Sequence, residues 1–209
     1  MQVTKEQSDL IIGTVLGDGF LQKRGQKTRL RICHSYKQRE YVDWKYKKLQ
    51  SLCIRTQIPK KVKQNSYQLY LFSTQSDERL SRYHNLFYEQ INGRYQKIIR
   101  PELALYLTDP LSLAIWWMDD GSARTDCYAG RFATQSYTLY EHKLLQDILM
   151  RNYCLRTSIV RHTTKKSKVQ YTLSVPSKGD QFARLVQLIR PFVTQLPCMT
   201  YKLGKPRND

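Results

Sequence analysis

The feature of the sequence that most constrains its fold is a short stretch that occurs twice. The first copy, IIGTVLGDG, spans residues 11–19, and the second, LAIWWMDDG, spans residues 113–121. Each copy is an apolar run that ends in an aspartate followed by glycine. Glycine in this place commonly ends a helix, because it accepts the left-handed backbone conformation. Each copy therefore predicts a mostly buried helix that carries one carboxylate, Asp18 or Asp120, at its C-terminal end.

Both predicted helices also have a start signal. Thr4 and Gln7 have the spacing of a capping box, in which each side chain bonds the other residue's backbone. Asp109 followed by Pro110 fits an N-cap residue with proline at the first helical position. Two further matches follow the copies in the same order. HSY at residues 34–36 pairs with QSY at 135–137, and CIRTQI at 53–58 pairs with CLRTSI at 154–159. These matches predict a duplicated unit of about half the chain.

Hydrophobic periodicity and turn residues predict the same element order in both halves, helix–strand–strand–helix–strand–strand–helix. The predicted helices are residues 5–18, 37–54, 77–91, the second motif helix that starts at Pro110 and ends at Asp120, 138–153 and 178–190. The predicted strands are 20–24, 29–35, 60–64, 67–73, 122–126, 131–136 and a hairpin over 157–175. The predicted turn between the first two strands is 25–27. The predicted domains are a first repeat over 1–92, a connector over 93–109, and a second repeat with a basic C-terminal tail over 110–209.

The charge balance predicts a polyanionic partner. The chain carries 35 Lys and Arg against 17 Asp and Glu, a net charge of +18. Such an excess opposes folding through self-repulsion and favours nucleic acid binding. No apolar run has the length of a membrane span, and the N-terminus has no signal-peptide core, so we expect no membrane partner and an intracellular location. Whether that location is an organelle, a bacterium or a phage-infected cell stays open. The odd number of cysteines, without CxxC spacing, argues against a zinc site.

The two copies resemble the motif of LAGLIDADG homing endonucleases and of the related intron maturases. Asp18 and Asp120 take the acidic position beside the final glycine of that motif. The second copy departs from the motif at Ile115, where the motif has glycine, and at Asp119, where it usually has a small residue. The resemblance covers essentially the whole chain. It implies an α+β fold of two pseudo-symmetric αββαββα repeats, each with an antiparallel DNA-binding sheet, joined through the two packed motif helices in a monomer.

The resemblance also implies phosphodiester hydrolysis with Mg²⁺, for which Mn²⁺ is expected to substitute. Magnesium prefers oxygen ligands, and a helix C-terminus with its unsatisfied carbonyls favours a cation. The predicted ligands are the carboxylates of Asp18 and Asp120, together with the backbone carbonyls of Gly17 and Asp119. The Asp119 carboxylate is expected to support the site from outside the metal shell.

Three further residues are predicted to take part in catalysis. The family has basic residues on the loops that flank each half, and these positions carry over to Lys97 and Lys202, with Arg100 competing with Lys97. Gln135, like His34 in the other half, follows a strand and is predicted to orient a water. The alternative is that the basic residues are phosphate contacts or solvated charges, and that Gln135 is a strand-end polar residue.

The strands are predicted to form the recognition surface, because two antiparallel strands can enter the major groove and present side chains to base edges. The candidates in the first repeat are Gln22, Arg24, Arg29, Arg31, Lys61, Lys63, Tyr67 and Gln68, and those in the second are Arg124, Asp126, Arg131, Arg161, Thr163, Lys168 and Gln170. The predicted phosphate contacts, which position the protein without specifying sequence, are Lys37, Lys60, Lys165 and Lys166.

The sequence therefore predicts a site-specific endonuclease that makes metal-dependent double-strand breaks in a long, imperfectly symmetric DNA duplex, as in intron or intein homing. Two alternatives stay open on the same fold. One is an RNA-binding maturase that assists group I intron splicing, with intron RNA as its partner. The other is a DNA-binding protein without catalytic activity.

Overall fold

The computed structural model describes residues 2–164 and 167–205 and has the predicted α+β fold. The α-helices are α1 (Lys5–Leu16), α2 (Arg39–Leu49), α3 (Ser81–Phe87), α4 (Pro110–Asp120), α5 (Leu139–Tyr153) and α6 (Gln181–Val193). The strands are β1 (Phe20–Arg24), β2 (Lys27–Ser35), β3 (Lys60–Gln64), β4 (Tyr67–Ser73), β5 (Tyr88–Ile91), β6 (Arg94–Lys97), β7 (Gly121–Ala123), β8 (Gly130–Phe132), β9 (Ser158–Thr163) and β10 (Val169–Val175). Short 3-10 helices cover Tyr36–Gln38, Gln50–Leu52, Glu78–Leu80, Pro101–Leu105, Lys178–Asp180 and Pro197–Leu203.

Each half contains a four-stranded antiparallel sheet with the same strand order. That order is β1-β2-β4-β3 in the first half and β7-β8-β10-β9 in the second. The expected alternation along β2 is confirmed: Leu30 and Ile32 are buried, whereas Arg31 between them is exposed. Side chains of successive strand residues point to opposite faces, so each sheet has one apolar face against the core and one open face. The shared strand order agrees with a duplicated unit.

The two motif helices α1 and α4 lie side by side and run in the same direction. Lys5 at the start of α1 bonds Asp109 at the start of α4, with Nζ 2.7 Å from Oδ2. At the other end, the backbone N–H of Asp18 donates to Oδ2 of Asp119 at 3.3 Å. Both helices begin with the predicted caps, since Thr4 and Gln7 form the capping box and the Asp109 side chain accepts from the Leu111 N–H. The C-terminal ends of both helices therefore meet at one edge.

The departures of the second motif copy are accommodated by the glycines of the first. A Cβ added at Gly13 would lie 2.8 Å from the Cβ of Ile115, and one added at Gly17 would lie 2.9 Å from Oδ2 of Asp119. Distances this short are not tolerated between real carbon and heavy atoms in a packed interior. The helices approach closely because α1 has no side chain where α4 has a bulky one.

The predicted helix over 77–91 is wrong in its second half. Helix α3 ends at Phe87, and β5 and β6 form a hairpin around Asn92 and Gly93, which have positive φ values of 50° and 74°. Asn-Gly is the preferred pair for a two-residue hairpin turn, because both central positions need positive φ. The segment predicted as a connector, 93–109, thus contains a strand and a 3-10 helix. It also contributes three buried side chains, Ile99, Leu103 and Leu107. The domain boundaries at 92/93 and 109/110 stay predictions.

Other element bounds also need correction. Lys27 belongs to β2, so the first turn is shorter than predicted. Strands β7 and β8 are three residues each, and Arg124 and Asp126 lie in the loop between them, where their side chains pair with each other at 2.8 Å. The predicted helix over 37–54 has α2 at its centre and 3-10 turns at both ends. Among the described residues, every helix is too short or too polar to cross a bilayer.

Candidate active site

Asp18 and Asp120 lie at the same edge of the molecule, at the ends of the two parallel motif helices. Gly17 caps α1, its N–H bonding the Gly13 carbonyl, and Asp18 follows it; Asp120 is the last residue of α4, and the Gly121 N–H bonds the Trp117 carbonyl. The charge of Asp18 raises the pKa of Asp120, so the two carboxylates lie within electrostatic reach of each other. The structure thus brings together the two acids that the motif copies single out.

The carboxylates at this edge repel one another. Burial raises the pKa of Asp120 to about 7, and the charges of Asp18 and Asp119 add to the shift. Partial burial and the charge of Asp119 also raise the pKa of Asp18, whose side chain is still 49% exposed. Like charges that are held together in a cleft are typical of functional sites, and a bound cation relieves their repulsion.

A lysine lies beside each motif end. Lys97 Nζ donates to the carbonyls of Gly17 at 3.0 Å and of Gly19 at 3.2 Å, and Lys202 Nζ donates to the carbonyl of Gly121 at 2.6 Å. Burial lowers the pKa of both lysines, whereas the three nearby aspartates raise it. Arg100, the predicted competitor of Lys97, instead lies 3.7 Å from Glu89. Each motif end therefore has one lysine bonded to its backbone, from the base of the β5–β6 hairpin or from the last 3-10 helix. The charge of Lys97 nevertheless acts more on the Asp120 carboxylate, and that of Lys202 more on the Asp18 carboxylate.

The predicted oxygen ligands fit a hard divalent cation in part. Carboxylates are the ligands that Mg²⁺ prefers, and Asp18 and Asp120 supply two at one edge. The Gly17 carbonyl uses one of its two lone pairs to accept from Lys97, which leaves one for another partner. Within residues 2–164 and 167–205, no group of three or more His, Cys, Asp or Glu has an arrangement that could hold a metal ion. The fit therefore rests on the two aspartates with backbone oxygens.

The side chain of Asp119 faces away from this open edge. It is fully buried and accepts from Lys45 Nζ at 2.8 and 3.0 Å and from the Tyr41 hydroxyl at 2.8 Å. That this carboxylate supports the site from outside the metal shell stays a prediction. Sequence reasoning missed Lys45 and Tyr41. The available signal was the buried series Tyr41, Lys45 and Leu49, in which a lysine occupies an apolar position of an amphipathic helix.

His34 and Gln135 do not occupy equivalent places, although the sequence match pairs them. His34 is buried on the core face of its sheet, with Nδ1 3.5 Å from Oδ2 of Asp18, and burial lowers its pKa to about 4. Gln135 is exposed and lines a cavity of 220 Å³ on the open face of the second sheet. Phe132 pairs with Leu173 in the second sheet as Ile32 pairs with Phe72 in the first, so Phe132 and Ile32 are equivalent. Two residues further along each strand, the structural counterpart of His34 is therefore Thr134.

The register separates the predicted DNA-binding residues of the first sheet into two groups. Five lie on the open face or at its rim, and they are Gln22, Arg24, Arg29, Arg31 and Tyr67. Arg29 and Arg31 line a cavity of 380 Å³ together with Lys60. The other three lie on the opposite face, toward α2. Lys61 pairs with Tyr70, Gln68 is two residues before Tyr70 on the same strand, and Lys63 pairs with Gln68. On this face Lys61 Nζ lies 4.4 Å from the Tyr36 ring. A shift of one residue in register moves every side chain to the other face, and sequence alone does not show it.

The second sheet divides in the same way. Arg131 and Gln170 lie on the open face, whereas Arg161 and Thr163 pair with Tyr171 and Val169 and fall on the opposite face. Lys168 precedes β10, its N–H bonding the Thr164 hydroxyl at 3.1 Å, and Arg124 and Asp126 are in the loop already described. Sequence reasoning missed His162, which lines the open-face cavity beside Gln170. Lys165, Lys166 and the tail at residues 206–209 lie outside the described residues.

Comparisons with known proteins agree with this geometry. Residues 8–182 match the LAGLIDADG DNA endonuclease family. The chain is 27% identical to DNA endonuclease I-ChuI of Chlamydomonas applanata, over 98% of this chain and 97% of that protein. It is 30% identical to the cytochrome b mRNA maturase bI2 of Debaryomyces hansenii, over 96% of this chain and 74% of the relative.

Two solved structures have the same fold. The homing endonuclease I-WcaI bound to its DNA recognition sequence superposes with a TM-score of 0.80 at 23% identity, covering 97% of this chain and 88% of that one. I-DmoI in complex with DNA and Mn superposes with a TM-score of 0.54 at 13% identity, covering 88% and 97%. At these identities the likeness establishes the shared architecture.

Proposed function

The chain belongs to the LAGLIDADG DNA endonuclease family, and we propose that it is a site-specific endonuclease that makes metal-dependent double-strand breaks in a long DNA duplex. The observation that carries the proposal is the meeting of Asp18 and Asp120 at the ends of parallel helices, each with a lysine beside it. One chain contains both halves of this arrangement, so a monomer suffices. Double-strand cutting at one site is the activity that intron or intein homing requires.

Binding would use the open faces of the two sheets. Arg29, Arg31 and Lys60 form a basic surface on the first, and Arg131, His162 and Gln170 form a more neutral polar surface on the second. Arginine, lysine and glutamine can read guanine or adenine edges in the major groove. The net charge of +18 would supply the part of the affinity that depends on phosphates and not on sequence.

Cutting would use the edge where the motif helices end. Asp18 and Asp120, with the carbonyls of Gly17 and Asp119, are the groups that would hold Mg²⁺ or Mn²⁺. A divalent ion held there would acidify water and offset charge on the phosphate. The ammonium groups of Lys97 and Lys202 lie at the same edge and would stabilise negative charge that develops on the reacting phosphate. Gln135 stays the candidate for holding a water on the second half.

A second candidate function is RNA binding that assists intron splicing, and the likeness to a protein named as an mRNA maturase favours it. The two candidates differ in how binding depends on salt. If several phosphates of duplex DNA are neutralised, the logarithm of the association constant falls by about 0.9 per phosphate for each tenfold rise in salt concentration. A slope near zero on duplex DNA, with a steep slope on structured intron RNA, would favour the maturase.

The test of the proposal is cleavage of a randomised duplex library by the purified protein in Mg²⁺, followed by sequencing of the cut ends. We expect one enriched site, cut in both strands, with no cutting in a chelator and no double-strand cutting by the Asp18→Asn and Asp120→Asn proteins. Binding of one duplex site without any cutting, by a folded wild-type protein in Mg²⁺ or Mn²⁺, would contradict the endonuclease and support a DNA-binding protein.

A further inference from the structure

A buried ion pair joins the two halves directly behind one of the two acids. Lys45 belongs to α2 of the first half and Asp119 to α4 of the second, and both side chains are fully buried. The Tyr41 hydroxyl donates to Oδ1 of the same carboxylate, and His34 Nε2 lies 3.7 Å from it. The carboxylate occupies the space that Gly17 leaves by having no side chain.

Such a pair is not an efficient source of stability. Removing two charges from water costs several kcal/mol per ion, and well-packed apolar residues of the same volume often stabilise a fold at least as well. A buried pair at this place therefore calls for a role besides holding the halves together. Its position suggests one, because both members lie within one or two contacts of the candidate active site.

The pair is connected to Asp18 by a hydrogen bond to the backbone N–H of that residue. Oδ2 of Asp119 accepts the N–H of Asp18 at 3.3 Å, while Lys45 holds both oxygens of that carboxylate in place. His34 lies between the Asp18 and Asp119 carboxylates, with one ring nitrogen toward each. The backbone of Asp18 is thus bonded to a carboxylate that is contributed by the other half.

The end of the second motif is built differently. By the repeat match that aligns Cys53 with Cys154, the counterpart of Lys45 is Gln146, which donates to the Thr157 carbonyl at 2.7 Å. The counterpart of Tyr41 is His142, which bonds Thr134 Oγ1 at 2.9 Å and the Thr138 carbonyl at 2.7 Å. These side chains are occupied within their own half, and the counterpart of Asp119 is Gly17.

We propose that Lys45 and Asp119 are positioning residues that act more on one acid than on the other: they hold Asp18 in the orientation that cutting of its DNA strand requires. The inference rests on the proposed endonuclease function. It predicts that loss of the pair converts the enzyme into a nickase, because the hydrogen bond that leads from the pair to the active site goes to Asp18. A displacement of about 1 Å in a reacting group can cost about a hundredfold in rate.

The test measures the two strand rates separately. A supercoiled plasmid carries the site that the wild-type protein selects, each strand is labelled, and saturating enzyme is used in Mg²⁺. Asp18→Asn and Asp120→Asn show which strand depends more on which acid. The variants are Lys45→Met, which keeps most of the length of the side chain but removes its charge, and the matched control Gln146→Met on the other half. Thermal melting and duplex binding in Ca²⁺ establish that each variant is folded.

We expect Lys45→Met to slow the strand that Asp18→Asn slows more, by about tenfold or more relative to the other strand, so that nicked plasmid accumulates. Gln146→Met is expected to leave the ratio of the strand rates unchanged. The double variant Lys45→Met/Asp119→Asn should recover part of the lost rate, because it no longer leaves an unpaired buried charge. If Lys45→Met is not folded, the isosteric Asp119→Asn is measured in its place, with the same expected strand bias.

Equal slowing of both strands, unchanged rates in a folded variant, or a bias toward the strand of Asp120 would overturn the inference while leaving the endonuclease in place. Failure of the wild-type protein to cut any duplex would overturn the proposed function and the inference with it. If the pair served only to stabilise the fold, its loss would lower the melting temperature without changing the ratio of the strand rates.

Discussion

The ends of the two motif helices present the same pair of functional groups on different supports. At the Asp18 end, Lys97 comes from the β5–β6 hairpin and the buried carboxylate of Asp119 bonds the Asp18 backbone. At the Asp120 end, Lys202 comes from the last 3-10 helix, whose backbone accepts from Trp117 Nε1 at 2.8 Å. Identical subunits must build both sides of a two-fold interface from the same residues. A single chain with a duplicated unit can keep the acid and the lysine while the supports diverge.

Replacement of the two acids is the largest expected effect. Asp18→Asn and Asp120→Asn each remove the charge that would hold the ion, and we expect the rate of the strand that depends more on the replaced acid to fall by about a thousandfold. Binding of the selected duplex in Ca²⁺ should be unchanged, because the open faces of the sheets carry recognition. A folded Asp120→Asn protein that makes double-strand breaks at the wild-type rate would remove Asp120 from the active site.

Replacement of the two lysines tests whether the different supports deliver equivalent groups. Lys97→Met and Lys202→Met should each slow cutting by about a hundredfold, the typical loss when one preorganised donor to developing charge is removed. The matched control is Arg100→Met, which changes a neighbouring cation that lies against Glu89 and should cut at the wild-type rate. If Arg100→Met is the slow variant and Lys97→Met is not, the catalytic cation of the first half has been misassigned.

Gly17→Ala tests the unequal packing of the motif helices. The added methyl would overlap the Asp119 side chain, so we expect a loss of about 1–3 kcal/mol in the free energy of unfolding, measured with urea. The same substitution in an Asp119→Gly background should cost much less, which a double-mutant cycle resolves. Equal costs in both backgrounds would mean that Gly17 and Asp119 do not share this space.

The pKa of Asp120 predicts an effect on stability that depends on pH and not on DNA. In the metal-free protein this carboxyl has a pKa of about 7 against an ordinary value of 3.8, so the folded state binds its proton more tightly than the unfolded chain. The contribution to stability is therefore present at low pH and is lost as the pH rises toward about 7. The melting temperature of Asp120→Asn relative to wild type should rise between about pH 4 and about pH 7. A constant difference across this range would contradict the raised pKa.

Much of the fold follows from local signals in the sequence. The helix caps at Thr4 and Asp109 and the strands over 20–24, 60–64 and 67–73 agree with the structure, because capping chemistry and alternation act over a few residues. The hairpin around Asn92 and Gly93 had a local signal too, and it was outweighed by the apparent continuation of helix α3. The close approach of the motif helices was not predictable from either copy alone, since it depends on glycines of one copy facing Ile115 and Asp119 of the other.

The candidate site was predictable to a smaller extent. The motif singles out Asp18 and Asp120, and the structure places a lysine near each. The strand faces of Lys61, Lys63, Gln68, Arg161 and Thr163 depend on register, which is set by pairing between distant segments. The link between Lys45 and Asp119 crosses from one half to the other, and a periodic pattern within one helix shows only that the lysine is buried, not which acid it meets.

The central inference is that two acids at one edge of the molecule hold divalent metal. The most direct test is to locate the metal in a complex with DNA. The protein is crystallised with the duplex site that it selects in Mn²⁺, and anomalous scattering locates the ions. The account predicts manganese bonded to the carboxylates of both Asp18 and Asp120, with none bonded to the carboxylate of Asp119, which Lys45 and Tyr41 occupy. Manganese bonded to neither Asp18 nor Asp120 in a complex that cuts its DNA would contradict it.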